Sequence, residues 1–140
     1  MSAARRRRAG PPFLFDTHVW FWYLVGSDRL PPGLRHAIDD ALGELWLSPI
    51  SVWELCVLDE RGRVRLAPDR RSWVEEALAR LPLEEAPLNR EVALVSREVR
   101  LAHRDPADRF LAATALVFGL TLLTVDERLT EARGIPTRSS

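Results

Sequence analysis

One stretch, residues 103–129, constrains the fold of this chain more than any other. It begins with acidic residues and continues through a long apolar segment. Asp105 followed by Pro106 predicts a helix start, with the aspartate as N-cap and proline at the first helical position, where its missing N–H costs nothing. Asp108 then falls in the first turn. Gly119 suits the left-handed cap that ends many helices. The stretch therefore predicts one helix with defined ends.

A strand should follow this helix. Residues 121–125 are almost wholly apolar and β-branched, which is typical of a strand covered on both faces. Asp126 comes directly after it. Open parallel sheets bind ligands outside the carboxyl ends of their strands, so this position is suited to chemistry.

The composition describes a globular protein without a strong charge bias. Of the 140 residues, 46% are hydrophobic and 29% are charged, which predicts one domain with a real core. The formal net charge is zero, so any contact with nucleic acid must come from local patches. All basic side chains are arginine. The absence of lysine excludes a P-loop lysine, a Schiff-base lysine and the lysine of receiver domains and haloacid-dehalogenase-like phosphatases.

The single Cys56 cannot form an internal disulfide, and its apolar neighbours predict a packed core thiol in a reducing, cytoplasmic environment. Residues 110–125 are too few for a membrane helix, which needs about 20, so no membrane association is expected. Residues 1–11 are expected to be a flexible basic tail. Its run of arginines, residues 5–8, could contact RNA phosphates or simply belong to a disordered terminus. Residues 12–140 are expected to form a single domain.

The rest of the chain alternates between strand and helix patterns. Strands are expected at residues 12–15 and 45–47, with a brief one within 83–87, and residues 61–69 should form a turn or a small extended segment. Helices are expected at residues 19–25, 34–42, 49–58, 73–81 and 89–102, the last three with Ser48, Ser72 and Asn89 at their starts. This alternation predicts an α/β fold, a three-layer α/β/α sandwich around a mainly parallel sheet.

Four acids occupy positions that this fold can bring together: Asp16 and Asp126 each end a strand, Asp108 opens a helix, and Glu54 is the one charge inside an apolar helix. Each has a structural alternative, as a cap, a turn residue or a surface glutamate. Carboxylates at close range raise one another's pKa and favour a hard cation such as Mg²⁺ or Mn²⁺. Zinc does not fit, because no Cys/His cluster has ligand spacing. Nearby hydroxyls, of Thr17 and Thr124, could support these ligands.

Four segments of the sequence together resemble a known family. The segments FLFDTHVWFW, SPISVWEL, HRDPADRFLAATAL and LTLLTVDERL are similar, in order, to the motifs of PIN-domain ribonucleases, and specifically of VapC-type toxins of type II toxin–antitoxin pairs. The resemblance runs from about Phe13 to Leu129. It implies a compact α/β/α domain that cleaves RNA with Mg²⁺, and its four acids match Asp16, Glu54, Asp108 and Asp126.

The resemblance also bears on single residues and on partners. Alignment on the AATA segment makes Asp108 the metal ligand and Asp105 an additional acid, in agreement with its role as a cap. The family implies an antitoxin whose C-terminal segment lies over the apolar helices, and we also expect a homodimer. The aromatic residues that could form the docking surface, or could be ordinary core, are Trp20, Phe21, Trp22 and Trp53.

The mechanism expected from this resemblance is hydrolysis of a phosphodiester by metal-activated water, leaving a 5′-phosphate. Glu54 would bind the metal or orient the water, while the three aspartates hold the metal. Arg109 or His103 could contact substrate phosphate. His18 could position substrate or make a structural hydrogen bond.

Two alternative functions differ from this one in class. A non-catalytic PIN-like module could serve as a scaffold for other proteins. A phosphoryl-acceptor enzyme could use Asp16 as a nucleophile, but the absence of lysine and of a second acid two residues later weighs against it.

Overall fold

The computed structural model describes residues 10–102 and 105–140. Strands and helices alternate along these residues as β1 (Phe13–Phe15), α1 (Thr17–Val25), α2 (Pro32–Asp40), β2 (Leu45–Leu47), α3 (Pro49–Glu60), α4 (Arg70–Arg80), β3 (Glu84–Glu85), α5 (Arg90–Glu98), α6 (Pro106–Phe118), β4 (Thr121–Leu123), α7 (Glu127–Thr130) and β5 (Thr137–Arg138).

The strands form one sheet in the order β3-β2-β1-β4-β5, and every neighbouring pair is parallel. The sequence predicted a mainly parallel sheet, and the sheet is parallel throughout. β1 lies in the middle, with β2 on one side and β4 on the other. In parallel sheets, the place where the chain order changes direction in this way leaves a crevice at the carboxyl ends of the strands.

Two hydrophobic cores cover the two faces of the sheet. Because side chains alternate along a strand, Phe13 and Phe15 of β1 point into one core and Leu14 into the other. The first core takes buried residues from helices α1 to α4, and the second takes them mainly from α5 to α7, with Ile50 of α3 in addition. The predicted three-layer α/β/α sandwich is therefore confirmed.

Local capping sets most helix starts. Ser48 caps α3 by accepting from the N–H of Ile50 at 3.0 Å, and Asn89 caps α5. Asp105 caps α6 by accepting from the N–H of Ala107 at 2.9 Å. Gly119 ends the same helix in the left-handed region with φ 66°, which a residue with a side chain rarely adopts. These four predictions are confirmed.

The boundaries of α1, α2 and α3 differ from the expected ones by up to two residues, and α4 and α5 differ by more. α4 begins at Arg70 rather than Trp73, because Asp69 is its N-cap and accepts from both the N–H and the hydroxyl of Ser72. α5 ends at Glu98, whereas the sequence predicted a helix to about residue 102. The helix ends early because the side chain of Arg109 binds backbone carbonyls of the residues that follow it.

Some elements lie outside what the sequence predicted. The short α7 and the edge strand β5 were not expected. Cys56 is partly exposed rather than packed in the core. The predicted tail falls almost entirely on residues 1–9, which lie outside the described residues, as does His103. None of the described helices has the length and apolar character needed to cross a membrane.

Candidate active site

The carboxyl ends of the two central strands open into a pocket of about 410 Å³. Asp16 directly follows β1, and Asp126 lies three residues beyond the neighbouring β4. The pocket is lined by the four predicted acids and by one additional acid, Asp105. The other lining residues are His18, Trp22, Arg29, Val125 and Arg128.

Asp16 is buried and held by hydrogen bonds at both carboxylate oxygens. Oδ1 accepts from the backbone N–H of Thr17 at 2.7 Å, which also makes Asp16 the N-cap of α1. Oδ2 accepts from the hydroxyl of Thr124 at 2.6 Å. Burial raises the pKa of Asp16 above its usual value, and these two hydrogen bonds oppose the rise. The hydrogen bonds therefore fix the position of the carboxylate, while burial makes its ionised form unfavourable.

Thr124 connects two of the acids. Its hydroxyl donates to Asp16 and accepts from the backbone N–H of Asp126 at 3.1 Å. The side chain is fully buried at the end of β4. One hydroxyl group thus joins the first and the last of the four predicted acids, at a position that the sequence had suggested for a supporting residue.

Asp108 is a further buried acid of the pocket, and its ionised form is unfavourable there. It lies in the first turn of α6 and is 5% exposed. Burial, together with the negative charges of Asp16, Asp105 and Asp126, raises its pKa to about 8. A carboxyl group with this pKa is largely protonated at pH 7 unless a cation joins it.

Glu54 reaches the same pocket from the middle of α3 and remains partly exposed. Burial raises the pKa of Glu54, the nearby Thr17 hydroxyl lowers it, and Asp16 and Asp105 raise it. Thr17 Oγ1 is buried and has no hydrogen bond within the usual distance and angle limits among the described residues. It lies at the boundary between Asp16 and Glu54, where a small movement would let it donate to Glu54.

Asp126 has a different environment, at the solvent side of the pocket. Its carboxylate accepts from the backbone N–H of Arg128 at 2.9 Å and thereby caps α7. The Arg128 guanidinium also contacts both oxygens, with Nε–Oδ1 at 3.3 Å and Nη2–Oδ2 at 3.1 Å. This exposed ion pair partly balances the negative charge of the pocket, and Asp126 raises the pKa of Arg128.

The donor set fits a hard divalent cation. Its members are carboxylates, which suit Mg²⁺ or Mn²⁺ and not zinc. The raised pKa values show that the pocket disfavours this much negative charge, a cost that a cation would remove. Within residues 10–102 and 105–140, no three of these side chains already stand at ligand spacing around one point. Ion binding would therefore draw the carboxylates closer together.

Arg109 has a different role from the one suggested by the sequence. It does not line the pocket. Its Nε, Nη1 and Nη2 donate to the backbone carbonyls of Ser96, Leu101 and Val99, at 2.9, 3.2 and 3.1 Å. The guanidinium thus holds the chain as it leaves α5 and accounts for the early end of that helix. Arg109 is not expected to contact substrate phosphate.

The pocket border includes residues that sequence reasoning missed. Arg29, in the loop after α1, and Arg128, inside the LTLLTVDERL segment, line the pocket, and the sequence analysis gave neither a role. Trp22 was assigned to an apolar docking surface or to the core, yet it lies beside the acids. Exposed His18 also lines the pocket and contacts the Trp22 ring, with ring centroids 5.7 Å apart. A sequence signal existed for Trp22, because it lies one helical turn after His18 on the same face of α1.

The aromatic cluster is divided between core and surface. Trp20 is completely buried, so of its two expected alternatives, docking surface or ordinary core, it belongs to the core. Phe21 and Trp22 are partly buried, whereas Trp53 is 54% exposed. Packing explains the difference, because Trp20 points into the first core and its ring meets Trp73 edge-on.

Comparison with known proteins gives a consistent family. The PIN domain model matches residues 13–135. Ribonuclease VapC22 of Mycobacterium tuberculosis is 35% identical over 123 residues, covering 86% of this chain and 91% of that protein. Among solved structures, DNA-bound VapBC from Salmonella typhimurium is similar with a TM-score of 0.70 at 23% identity, covering 90% of this chain and 96% of that chain.

VapBC2 from Rickettsia felis, bound to a promoter DNA fragment, has a TM-score of 0.67 at 14% identity, again covering 90% of this chain and 96% of that one. At these identities the two structures support the fold, while the family model and the 35% identical relative identify the family. This chain belongs to the PIN-domain family, as one of its VapC-type members.

Proposed function

We propose that this chain is a metal-dependent endoribonuclease and the toxin of a toxin–antitoxin pair. The observation that carries the proposal is the convergence of Asp16, Glu54, Asp108 and Asp126, which are distant in the sequence, on one pocket at the carboxyl edge of the sheet. The 35% identity to a protein named a ribonuclease supports the reaction type.

Asp16, Asp108 and Asp126 would hold Mg²⁺ or Mn²⁺, with Glu54 as a ligand or close to the ion. When bound, such a cation lowers the pKa of water and neutralises charge on a phosphodiester under attack. The chain supplies the rigid positions. Asp16 is fixed through both oxygens, and Asp126 is tied through its backbone N–H to the same threonine hydroxyl.

Glu54 is the acid best suited to handle a proton. It is partly exposed, its carboxyl group lines the pocket, and its pKa is raised by burial. A carboxylate with a raised pKa orients a water molecule and accepts its proton more readily than one with an ordinary pKa. Hydrolysis at the RNA phosphodiester would then leave a 5′-phosphate.

The partners proposed for this chain are an RNA substrate, a cognate antitoxin and a second copy of the chain. The antitoxin proposal is supported by the likeness to VapBC and FitAcB assemblies. Exposed Trp53 and half-buried Phe21 supply apolar surface for such a partner. We further propose a cytoplasmic location, which is supported by the single cysteine.

The test is cleavage of single-stranded RNA by the purified protein in Mg²⁺, Mn²⁺ or EDTA. We expect cleavage with either ion, none in EDTA, and none for Asp16→Asn or Asp126→Asn. The matched control is Asp40→Asn, an exposed aspartate on α2 outside the pocket. Mn²⁺ should also raise the melting temperature of wild type through binding to the folded state. No cleavage and no response of the melting temperature would favour a non-catalytic scaffold.

A further inference from the structure

A second pocket lies beside the acidic one. It has a volume of about 680 Å³ and shares His18, Trp22 and Arg29 with the acidic pocket as lining residues. Beyond them it is lined by Phe21 and by aliphatic side chains of α1, of α3 and of the chain after α3, and Arg63 lies at its border. The two pockets therefore adjoin across these three residues, one lined by acids and the other by aromatic, aliphatic and basic side chains.

The lining of the second pocket has the features of a nucleotide site. Proteins bind unpaired RNA by stacking bases on aromatic rings and by placing arginine beside the phosphates. Trp22 is partly buried, with its ring in contact with His18, so the pair offers a fixed aromatic wall. Arg29 and Arg63 are exposed, and neither takes part in an ion pair within the described part of the chain.

The charges around the second pocket favour RNA, and not an apolar peptide, as the molecule that binds there. Arg29 lines both pockets, so its cation lies between the carboxylates and the aromatic wall. An RNA strand that passes the carboxylates needs a nearby cation to offset their repulsion of its phosphates. Arg29 provides this cation. Arg63 supplies a second cation at the border of the second pocket. A purely apolar peptide segment would leave both guanidinium groups without an anionic partner.

We propose that this second pocket holds an unpaired nucleotide next to the scissile phosphate, with its base against Trp22 and His18 and the adjoining phosphates at Arg29 and Arg63. The proposal rests on the proposed ribonuclease function, because it concerns the substrate of the same site. It makes Trp22 and Arg63 determinants of affinity and of preference for single strands, with no part in the chemical step.

The experiment measures binding and cleavage separately. Fluorescence anisotropy with a labelled, unstructured 8-nucleotide RNA in EDTA reports binding without metal-dependent cleavage. The variants are Trp22→Leu, Trp22→Phe and Arg63→Ala, with Arg65→Ala as matched control, since Arg65 is exposed in the same loop and lines neither pocket. The same RNA paired into a duplex tests the need for an unpaired base.

We expect Trp22→Leu to weaken binding by at least about fivefold, the low end of one lost stacking contact, and Trp22→Phe to keep most of the affinity. Arg63→Ala should lower the slope of log affinity against log salt by about one, as for one lost phosphate contact. Arg65→Ala should bind like wild type, and the duplex should bind more weakly than the single strand. In Mg²⁺, the pocket variants should raise KM and leave kcat nearly unchanged.

Other outcomes overturn the proposal. If Trp22→Leu and Arg63→Ala bind and cleave RNA like Arg65→Ala, the pocket is not a nucleotide site, even though wild type is a nuclease. If these variants lose affinity for a co-expressed antitoxin and keep affinity for RNA, the occupant is a protein. Failure of the proposed function itself has a different signature, in which wild-type protein binds RNA through this pocket but does not cleave it with Mg²⁺ or Mn²⁺.

Discussion

The hydroxyl of Thr124 joins Asp16 to Asp126, donating to Oδ2 of the first at 2.6 Å and accepting from the N–H of the second at 3.1 Å. These two acids follow neighbouring strands, so the sheet brings them close and the hydroxyl sets their spacing. The same two acids also begin helices, because their Oδ1 atoms accept the N-cap hydrogen bonds of α1 and α7. Site geometry and local folding thus depend on the same side chains.

Replacing Thr124 by valine should affect both stability and metal affinity. Valine has a similar shape but removes the donor to Asp16 and the acceptor for the Asp126 N–H. Loss of partners for buried polar groups costs about 1–3 kcal/mol, measurable by denaturant unfolding in EDTA. Loss of support for ligands should weaken Mn²⁺ binding by about 10- to 100-fold, measurable by calorimetry.

Thr124→Ser is the matched control, because serine keeps the hydroxyl. It should retain most of the metal affinity and lose only the contacts of one methyl group. Equal Mn²⁺ affinity in Thr124→Val and Thr124→Ser would show that the hydroxyl does not position the acids.

The metal-free protein should lose stability as pH rises from about 4 to 8. The folded pKa of Asp108 is about 8, against an ordinary value of 3.8, so the folded state holds this proton more tightly than the unfolded state does. The stabilisation is complete below about pH 4 and is lost as pH passes through 8. The pKa values of Asp16 and Glu54 are raised too, which gives the same sign. In EDTA, the melting temperature should fall by a few degrees between pH 5 and 8.

Asp108→Asn should flatten this decline, since an amide has no proton to lose. Mn²⁺ should also flatten it in wild type, because a bound cation compensates the ionised carboxylates. Asp40→Asn, outside the pocket, should leave the pH profile as it is. A decline of the same size in Asp108→Asn and wild type would contradict the raised pKa of Asp108.

The two acids at the start of α6 should respond differently to amide substitution. Asp105 accepts from the N–H of Ala107, a cap that asparagine also makes, so Asp105→Asn should fold normally and retain nuclease activity. Asp108→Asn should lower cleavage by at least about 100-fold, as expected for a metal ligand. The measurement is the initial rate with saturating Mn²⁺. The reverse order of the two rates would mean that Asp105 is the ligand, a possibility kept open by its place in the pocket wall.

The features predictable from the sequence are those set by nearby residues. Asp105-Pro106 and Gly119 define the ends of α6, because caps form within one turn. The Asp16 position follows from an apolar strand that ends directly before an acid. Asp126 was expected to follow the strand 121–125 in the same way, but β4 ends at Leu123, three residues earlier. The end of α5 was not predictable in this way, because it depends on Arg109, which is distant in the sequence.

The burial of individual side chains could not be predicted from local sequence patterns either. Trp20 and Trp22 lie in one apolar helix, and only packing against the sheet decides that Trp20 is fully buried while Trp22 faces the acids. β5 consists of Thr137–Arg138, too short to carry an alternating pattern, and it forms because β4 offers an open edge. Arg29 reaches the pocket from a loop, where no periodicity marks a site.

Arg109→Ala should destabilise the protein without changing the chemistry. The guanidinium donates to three backbone carbonyls at the end of α5, and alanine would leave these groups to find water or remain unsatisfied. Hydrogen bonds from charged groups contribute about 1.5–3 kcal/mol, so the free energy of unfolding should fall by at least about 2 kcal/mol. Arg109→Lys should rescue little, because a single ammonium cannot span the three acceptors.

Arg97→Ala is the matched control, an exposed arginine in the last turn of α5 outside the pocket, and it should unfold like wild type. Below the unfolding transition, the folded Arg109→Ala protein should keep the wild-type KM for RNA, since this side chain lies outside the pocket wall. A raised KM at unchanged stability would show that Arg109 contacts the substrate. It would contradict the structural role of its three carbonyl contacts, which hold the segment between α5 and α6 in place.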